Sequence, residues 1–359
     1  MDDRLKHALS QVTERQSGRN LIDAGRIENA SVMNKAVTII LAPPVAGKPD
    51  LETLKPEIEK TLSALDGIEQ VRVIMTAHRE PAQKPQQGHN HQKPAPVEKP
   101  AKRVIVVASG KGGVGKSTVS ANLAAALSRD GLKVGLMDAD IYGPSVPRLF
   151  GITDTPGLKK TDTGVQPKIA HGVKLISMGF VLEPGMPVVW RGPMVQGAIR
   201  QLFADTDWGE LDVLIIDMPP GTGDAQLAIA QELPVDGAVI VSTPQDLALD
   251  DARKAITMFE KTHIPILGLV ENMSIFLCPH CGEGSHIFGH GGAREVAKSI
   301  GTEFLGEIPL HPELRERSDT GRPVALDEGP VGDAFLKAAK SAMDAAEAVS
   351  KPAPEISFS

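Results

Sequence analysis

Val104-Ile105-Val106-Val107-Ala108-Ser109-Gly110-Lys111-Gly112-Gly113-Val114-Gly115-Lys116-Ser117-Thr118 decides the fold of this 359-residue chain. The apolar run predicts a buried strand, the glycines a tight turn, and Val119, Leu123, Ala126 and Leu127 beyond them the apolar stripe of a helix. In a strand–glycine turn–helix, successive backbone N–H groups point at one spot by the positive end of the helix, which suits phosphate oxygens. Gly110 and Gly115-Lys116-Ser117 satisfy the GxxxxGK[ST] pattern, which places the Lys116 ammonium on the β/γ-phosphates and the Ser117 hydroxyl on magnesium. Gly112, Gly113, Val114 and Thr118 complete the nucleotide-binding loop.

Downstream, apolar runs predict strands at 133–137, 213–216, 237–241 and 266–270, with helices between them and a last alanine-rich helix from Val331 to Lys351. Strands alternating with helices predict an α/β fold, a mostly parallel sheet covered on both faces with the nucleotide at its carboxyl edge. Val213-Leu214-Ile215-Ile216-Asp217 is an apolar strand ending in an acid, a Walker B arrangement, so Asp217 joins Ser117 as a magnesium candidate. Met218-Pro219-Pro220-Gly221-Thr222-Gly223-Asp224 follows as a stiffened loop whose glycines let backbone approach a γ-phosphate. Asp138-Ala139-Asp140 closes the second strand, and phosphoryl transfer needs such acids chiefly for positioning.

A net charge of −7 offers no basic footprint for nucleic acid or an anionic membrane, and 41% apolar residues allow a sizeable core. The amino terminus has no apolar signal core and no window is long enough to span a bilayer, so the expected location is the cytoplasm. Three segments are expected. Residues 1–79 form a small α+β domain, with Val37, Ile39 and Leu41 alternating on a strand, Leu51, Leu54, Ile58, Leu62 and Leu65 at helical spacing, and Val71, Val73 and Met75 on a second strand. Residues 80–102, rich in proline and carrying His89 and His91, read as a linker, and 103–350 as the ATPase domain.

The chain's two cysteines stand together in Cys278-Pro279-His280-Cys281-Gly282. Two thiols at C-x-x-C spacing converge on one metal and supply half of a four-cysteine site. No further cysteine exists, so a four-sulfur shell needs a second subunit. Zinc completed within one chain by His280, His286 or His290 is an open alternative on spacing alone.

Lys111 extends the loop to KGGxGK[ST], and this spacing resembles the deviant Walker ATPases. The resemblance implies a homodimer sandwiching two ATP molecules, with Lys111 reaching the partner's nucleotide, Lys116 and Asp140 catalytic, Asp140 orienting the attacking water, and Asn272 on the adenine edge. From 103 to about 325 the chain resembles more narrowly the Mrp/ApbC iron-sulfur cluster carriers, through the loop itself, Asp138-Ala139-Asp140-Ile141-Tyr142-Gly143-Pro144-Ser145, Trp190-Arg191-Gly192-Pro193-Met194, Asp207-Trp208-Gly209-Glu210-Leu211-Asp212, Met218 to Asp224, and Glu271-Asn272-Met273-Ser274 before the cysteines. That family implies weak ATPase activity and a labile 4Fe-4S cluster, bound by Cys278 and Cys281 at the dimer interface and delivered to apoproteins, with cluster assembly scaffolds as further partners. The amino-terminal unit, with Leu21-Ile22-Asp23-Ala24-Gly25-Arg26-Ile27 and Leu65-Asp66-Gly67-Ile68-Glu69-Gln70-Val71, resembles the iron-sulfur assembly domain fused to some carriers. A zinc-stabilised partition or division-site regulatory ATPase shares the nucleotide motifs, but its expected mark is a basic patch instead of the cysteine pair.

Overall fold

The computed structural model describes residues 3–13, 18–33, 36–41, 51–65, 68, 70–75, 97–153, 157–162, 164–181 and 192–350. Linker residues 80–96, with His89 and His91, and Trp190 with Arg191 lie outside the described residues. The chain divides into two compact units, Met1–Gln92 and Lys93–Ser359.

In the first unit, α1 (Asp3–Leu9), β1 (Ile27–Met33), β2 (Ala36–Leu41), α2 (Leu51–Ser63) and β3 (Gln70–Met75) follow in chain order. The sheet order is β1-β2-β3, antiparallel between the first pair and parallel between the second. Val37, Ile39 and Leu41 alternate inward and meet Leu54, Ile58 and Leu62 from α2 with Leu5 and Leu9 from α1, all buried.

The second unit runs β4 (Ala101–Ala108), α3 (Lys116–Arg129), β5 (Val134–Asp138), α4 (Val146–Leu149), β6 (Lys168–Ala170), β7 (Val173–Ser177), α5 (Gly192–Ala204), β8 (Leu211–Asp217), α6 (Asp224–Glu232) and β9 (Gly237–Ser242). It continues through α7 (Asp246–Lys261), β10 (Ile266–Leu277), β11 (Gly284–Ser285), α8 (Gly292–Ile300), β12 (Phe304–Leu310), α9 (Pro312–Thr320) and α10 (Pro330–Ser350). Its sheet has nine strands in the order β11-β10-β9-β4-β8-β5-β7-β6, with β12 paired to β10. All pairings are parallel except the β6/β7 and β10/β11 ends.

Successive residues of β4 go to opposite faces: Ile105 and Val107 join a core with α3 and α10, while Val104, Val106 and Ala108 join one with α5, α7 and α8. This is why the strand reads as an unbroken apolar run. Each fully buried valine or isoleucine there contributes about 1.5–3 kcal/mol. The mostly parallel sheet with two covered faces is thus the fold observed.

Two elements depart from the pattern read in sequence. Strand β10 continues seven residues past Val270, because Glu271, Asn272 and Ser274, polar in sequence, are buried with hydrogen-bond partners. Strand β4 begins at Ala101, and the residues before it belong to this unit: Val97 packs on the core and Lys99 Nζ lies 2.7 Å from Asp236 Oδ1.

Candidate functional site

At the carboxyl end of β4 the chain folds into the loop that the motif describes. Gly113 (φ 85°) and Gly115 (φ 83°) take left-handed backbone, which costs glycine nothing, and a Cβ on Gly110 would lie 1.9 Å from the Asp251 carbonyl of α7. Ser109 Oγ donates to the Lys111 carbonyl at 2.9 Å, and Gly221 N donates to the Ser109 carbonyl at 3.1 Å, tying the loop after β8 to the phosphate loop. The loop opens on a cleft of about 250 Å³ lined by Lys111, Gly112, Gly113, Gly115, Lys116, Ser117, Thr118 and, across from them, Asp140, Ser145 and Pro220.

Beneath the cleft lies a buried charge network. Lys116 Nζ donates to Asp217 Oδ1 at 2.7 Å and lies 3.0 Å from Ser117 Oγ; Lys116 is 6% exposed and Asp217 fully buried. Ser120 Oγ donates to the same Asp217 oxygen at 2.7 Å, while Asp217 Oδ2 is buried without a hydrogen-bond partner. The orphaned Asp217 oxygen and the Ser117 hydroxyl, the latter linked to the other Asp217 oxygen through Lys116 Nζ, are hard oxygens of the kind that suits a magnesium ion.

Asp138, the last residue of β5, accepts from four donors: Asp140 N (3.1 Å) on one oxygen, and Ser145 N (3.0 Å), Val146 N (3.1 Å) and Ser177 Oγ (3.1 Å) on the other. Burial, then the nearby Asp217 carboxylate, push its pKa up to about 7. These bonds shape the turn that presents Asp140, whose own pKa is raised by partial burial against the opposing pull of Lys116. Sequence reasoning misses Ser120 and Ser177. A signal exists for Ser120, a polar residue four positions after Lys116 inside an apolar helix; Ser177 reaches Asp138 only through the β5/β7 register.

Asn272 sits below the loop. Its Nδ2 donates to the Val114 carbonyl at 2.8 Å, and its Oδ1 is buried without a partner. Strand β10 then runs out to the cysteines. Leu277 and Gly284 pair across an antiparallel hairpin, Gly282 N donates to the Cys278 carbonyl (2.8 Å), and Cys278 N donates to the Glu283 carbonyl (3.0 Å). Cys278 is half-buried and Cys281 exposed. Hydrogen bonds from the Cys281 backbone, then the His280 backbone and the Cys281 side chain, hold the Cys278 thiol below its usual pKa, favouring the thiolate that ligates metal.

His280, His286 and His290 do not gather on the cysteines. Among the described residues, the group of three or more histidine, cysteine or acidic side chains with converging ligand atoms is Glu271, His290 and Glu307. Those acids are engaged elsewhere: Glu271 accepts from Gly291 N (2.9 Å) and Ala293 N (2.8 Å), capping α8, and Glu307 pairs with Arg294 at 3.0 Å.

Residues 100–344 match the family described as NUBPL iron-transfer P-loop NTPase. The chain belongs to this family. Residues 2–74 match a second family, described as iron-sulfur cluster assembly protein. Relatives of this P-loop NTPase include an iron-sulfur cluster carrier protein of Aquifex aeolicus, 40% identical over 93% of this chain and 95% of that one, and one of Pseudomonas fragi, 48% identical over 75% and 92%. The mouse iron-sulfur cluster transfer protein NUBPL is 51% identical over 65% of this chain and 74% of its own. Among solved structures, a nucleotide-binding protein from Archaeoglobus fulgidus in complex with ADP superposes with a TM-score of 0.58 at 44% identity, covering 66% of this chain and 92% of that one. The Pyrococcus furiosus cell division ATPase MinD shares the fold, with a TM-score of 0.51 at 23% identity over 68% and 99%. As a P-loop NTPase the chain has the machinery class for nucleotide hydrolysis. No described helix is long and apolar enough to cross a membrane.

Proposed function

We propose that the chain is an ATP-dependent iron-sulfur carrier: two copies hold a labile 4Fe-4S cluster between their Cys278 and Cys281 thiols and pass it to apoproteins, with slow ATP hydrolysis as the switch. The observation that carries this reading is an exposed hairpin offering two thiols, one held toward the thiolate, on a strand whose Asn272 is bonded to the phosphate loop. The names of the family and of the relatives support the carrier role. Two sulfur ligands per chain make half a cluster site, and a second copy supplies the rest.

In the nucleotide half, Lys116 moves from Asp217 to the β/γ-phosphates as ATP enters, and Lys111 reaches the nucleotide of the second copy. Ser117 and Asp217 would hold magnesium, which neutralises phosphate charge when bound. Asp140 orients the water that attacks the γ-phosphorus as the bond to ADP breaks. Asn272 is assigned to an adenine edge by the family resemblance; its Oδ1 is buried without a partner and its Nδ2 is held by the Val114 carbonyl below the loop. Delivery of the cluster is ligand exchange, thiolate for thiolate, and needs no net electron transfer. The zinc-stabilised regulator loses its support where the histidines fail to converge on the cysteines.

The test is anaerobic reconstitution of the full chain with iron and sulfide, followed by iron, sulfide and zinc quantification and sedimentation. Four irons per dimer with a charge-transfer band, lost on transfer to an apoenzyme, is the expected result. One zinc per monomer, untouched by reconstitution, overturns the reading.

A further inference from the structure

Between the phosphate loop and the cysteines, β10 carries an irregularity that neither site explains alone. Met273 has φ 56°, a left-handed conformation that a side chain with a Cβ rarely takes. Around it the parallel pairing with β12 slips: Asn272 is opposite Ile308 and Phe276 opposite Leu310, four residues of β10 advancing against two of its neighbour. On one side of this bulge Asn272 is buried against the loop, so close that a Cβ on Gly115 would lie 2.2 Å from its Nδ2. On the other side Ser274 Oγ holds the Ile308 carbonyl (3.3 Å) and the Ser274 carbonyl lies 3.3 Å from His286 Nδ1 on the returning arm of the hairpin. Glu271, one residue before Asn272, pins that arm's end through Gly291 N and Ala293 N. Loop, bulge and hairpin base are thus joined within four consecutive residues, and Cys278 follows four residues after Ser274.

We propose that the Asn272–Met273 bulge is the coupling element of the carrier: Asn272 senses the position of the phosphate loop, and Met273 switches between its left-handed kink and an extended conformation, moving the cysteine hairpin. The inference rests on the ATP-gated reading above and adds to it the residues that do the gating. The physical basis is bistability. A left-handed methionine is strained, so the kink persists only while its surroundings hold it, and phosphates that draw Lys116 and the Val114–Gly115 backbone toward themselves withdraw part of that hold. Removing the strain favours the kink, and increasing it favours the extended state. Glycine takes this left-handed φ freely, whereas a β-branched residue resists it, so Met273→Gly and Met273→Val bias one equilibrium in opposite directions.

The chain's two cysteines are both in the hairpin, so maleimide labelling of the full-length apo-protein under reducing, anaerobic conditions reads the hairpin alone. The expected results are three. Magnesium with a non-hydrolysable ATP analogue changes the labelling rate of the wild type. Met273→Val without nucleotide changes it in the same direction. Met273→Gly reduces the nucleotide response and, by reciprocity, weakens binding of the analogue about five-fold. Circular dichroism and the thermal midpoint report folding of each variant; should Met273→Val not fold, Met273→Gly decides, since its backbone is unstrained. The proposal is overturned if the wild type responds and both folded variants respond identically to it, or if the wild type does not respond. Failure of the carrier reading is visible separately, as absence of a 4Fe-4S chromophore after reconstitution of the wild type.

Discussion

Strands β4 and β10 end one strand apart in the same sheet, yet the phosphate loop at the first and the cysteine hairpin at the second are finished to different degrees. Around the phosphate loop the buried side chains of Lys116, Asp138 and Asp217 are answered from within the chain at every oxygen but one: Lys116 and Ser120 bond to Asp217, four donors to Asp138, and the Ser109 hydroxyl to the loop itself. At β10 the thiols are half-buried and exposed, with no third ligand converging on them among the described residues. The difference fits the roles proposed for the two regions. A site that must recognise one ligand repeatedly profits from preorganised dipoles, whereas a site that must give up its cargo keeps ligands at the surface where a partner's thiols can replace them.

The contrast breaks most sharply at the cysteines. Cys278→Ser or Cys281→Ser removes one of the two thiols proposed as cluster ligands, so the iron-sulfur absorbance after reconstitution is expected to vanish, while affinity for ATP stays within about two-fold, since neither thiol lines the nucleotide cleft and the serine keeps the shape of the hairpin. Anaerobic visible spectroscopy and fluorescent-nucleotide titration measure both. A retained chromophore would mean that the ligands lie elsewhere.

At the cleft the corresponding change is Lys116→Ala. It deletes a phosphate contact and leaves Asp217 buried beside Asp138 with no cation, and breaking a buried pair costs about 3–5 kcal/mol. Both ATP affinity and the denaturation midpoint are expected to fall. Lys111, which lines the open cleft, carries no such structural burden: Lys111→Ala is expected to keep the midpoint and nucleotide binding while losing hydrolysis. Equal loss of affinity in the two variants would refute a role for Lys111 across a dimer.

How far these two regions could be read in sequence differs for the same reason that their construction does. The glycine loop, Asp217 and the apolar strands β4, β8 and β9 declare themselves, because a two-sided parallel sheet demands continuous apolar runs and phosphate demands glycines at fixed offsets. Strand β12 does not, since Gly306, Glu307 and Pro309 interrupt its run; paired only with β10, it tolerates a proline. Past Val270, β10 is equally silent. Its polar residues are buried through partners distant in sequence, Val114, Ile308 and Gly291, and no local pattern encodes such partners.

Asp140 separates binding from chemistry inside the cleft. Its carboxylate lines the opening and accepts from Gly143 N at 3.2 Å, apart from the Lys116–Asp217 pair below. Asp140→Asn keeps the shape and removes the charge, so steady-state hydrolysis is expected to drop about a hundredfold with ATP affinity little changed. Cluster loading, proposed to depend on Cys278 and Cys281, should be unaffected. Hydrolysis at the wild-type rate would remove Asp140 from the proposed mechanism.

The smallest expected effect concerns Asp138, and it tests whether the buried network is as tightly built as its geometry. Burial and the Asp217 carboxylate raise its pKa to about 7 in the folded chain, from 3.8 for the free side chain. Between those values the folded state keeps a proton that the unfolded state releases. Stability conferred by this group is therefore present at acid pH and lost as pH rises from about 4 to about 7, with a slope no steeper than about 1.4 kcal/mol per pH unit for one proton. Asp138→Asn cannot titrate, so its unfolding free energy should lack this downward component. The readout is the difference between wild-type and variant denaturant curves collected from pH 5 to pH 8, because other titrating groups contribute equally to both. A difference that changes through that window and levels off above about pH 7 is the expected outcome. Parallel curves would show that Asp138 is already ionised at pH 5, held so by Lys116 and its four donors in spite of its burial.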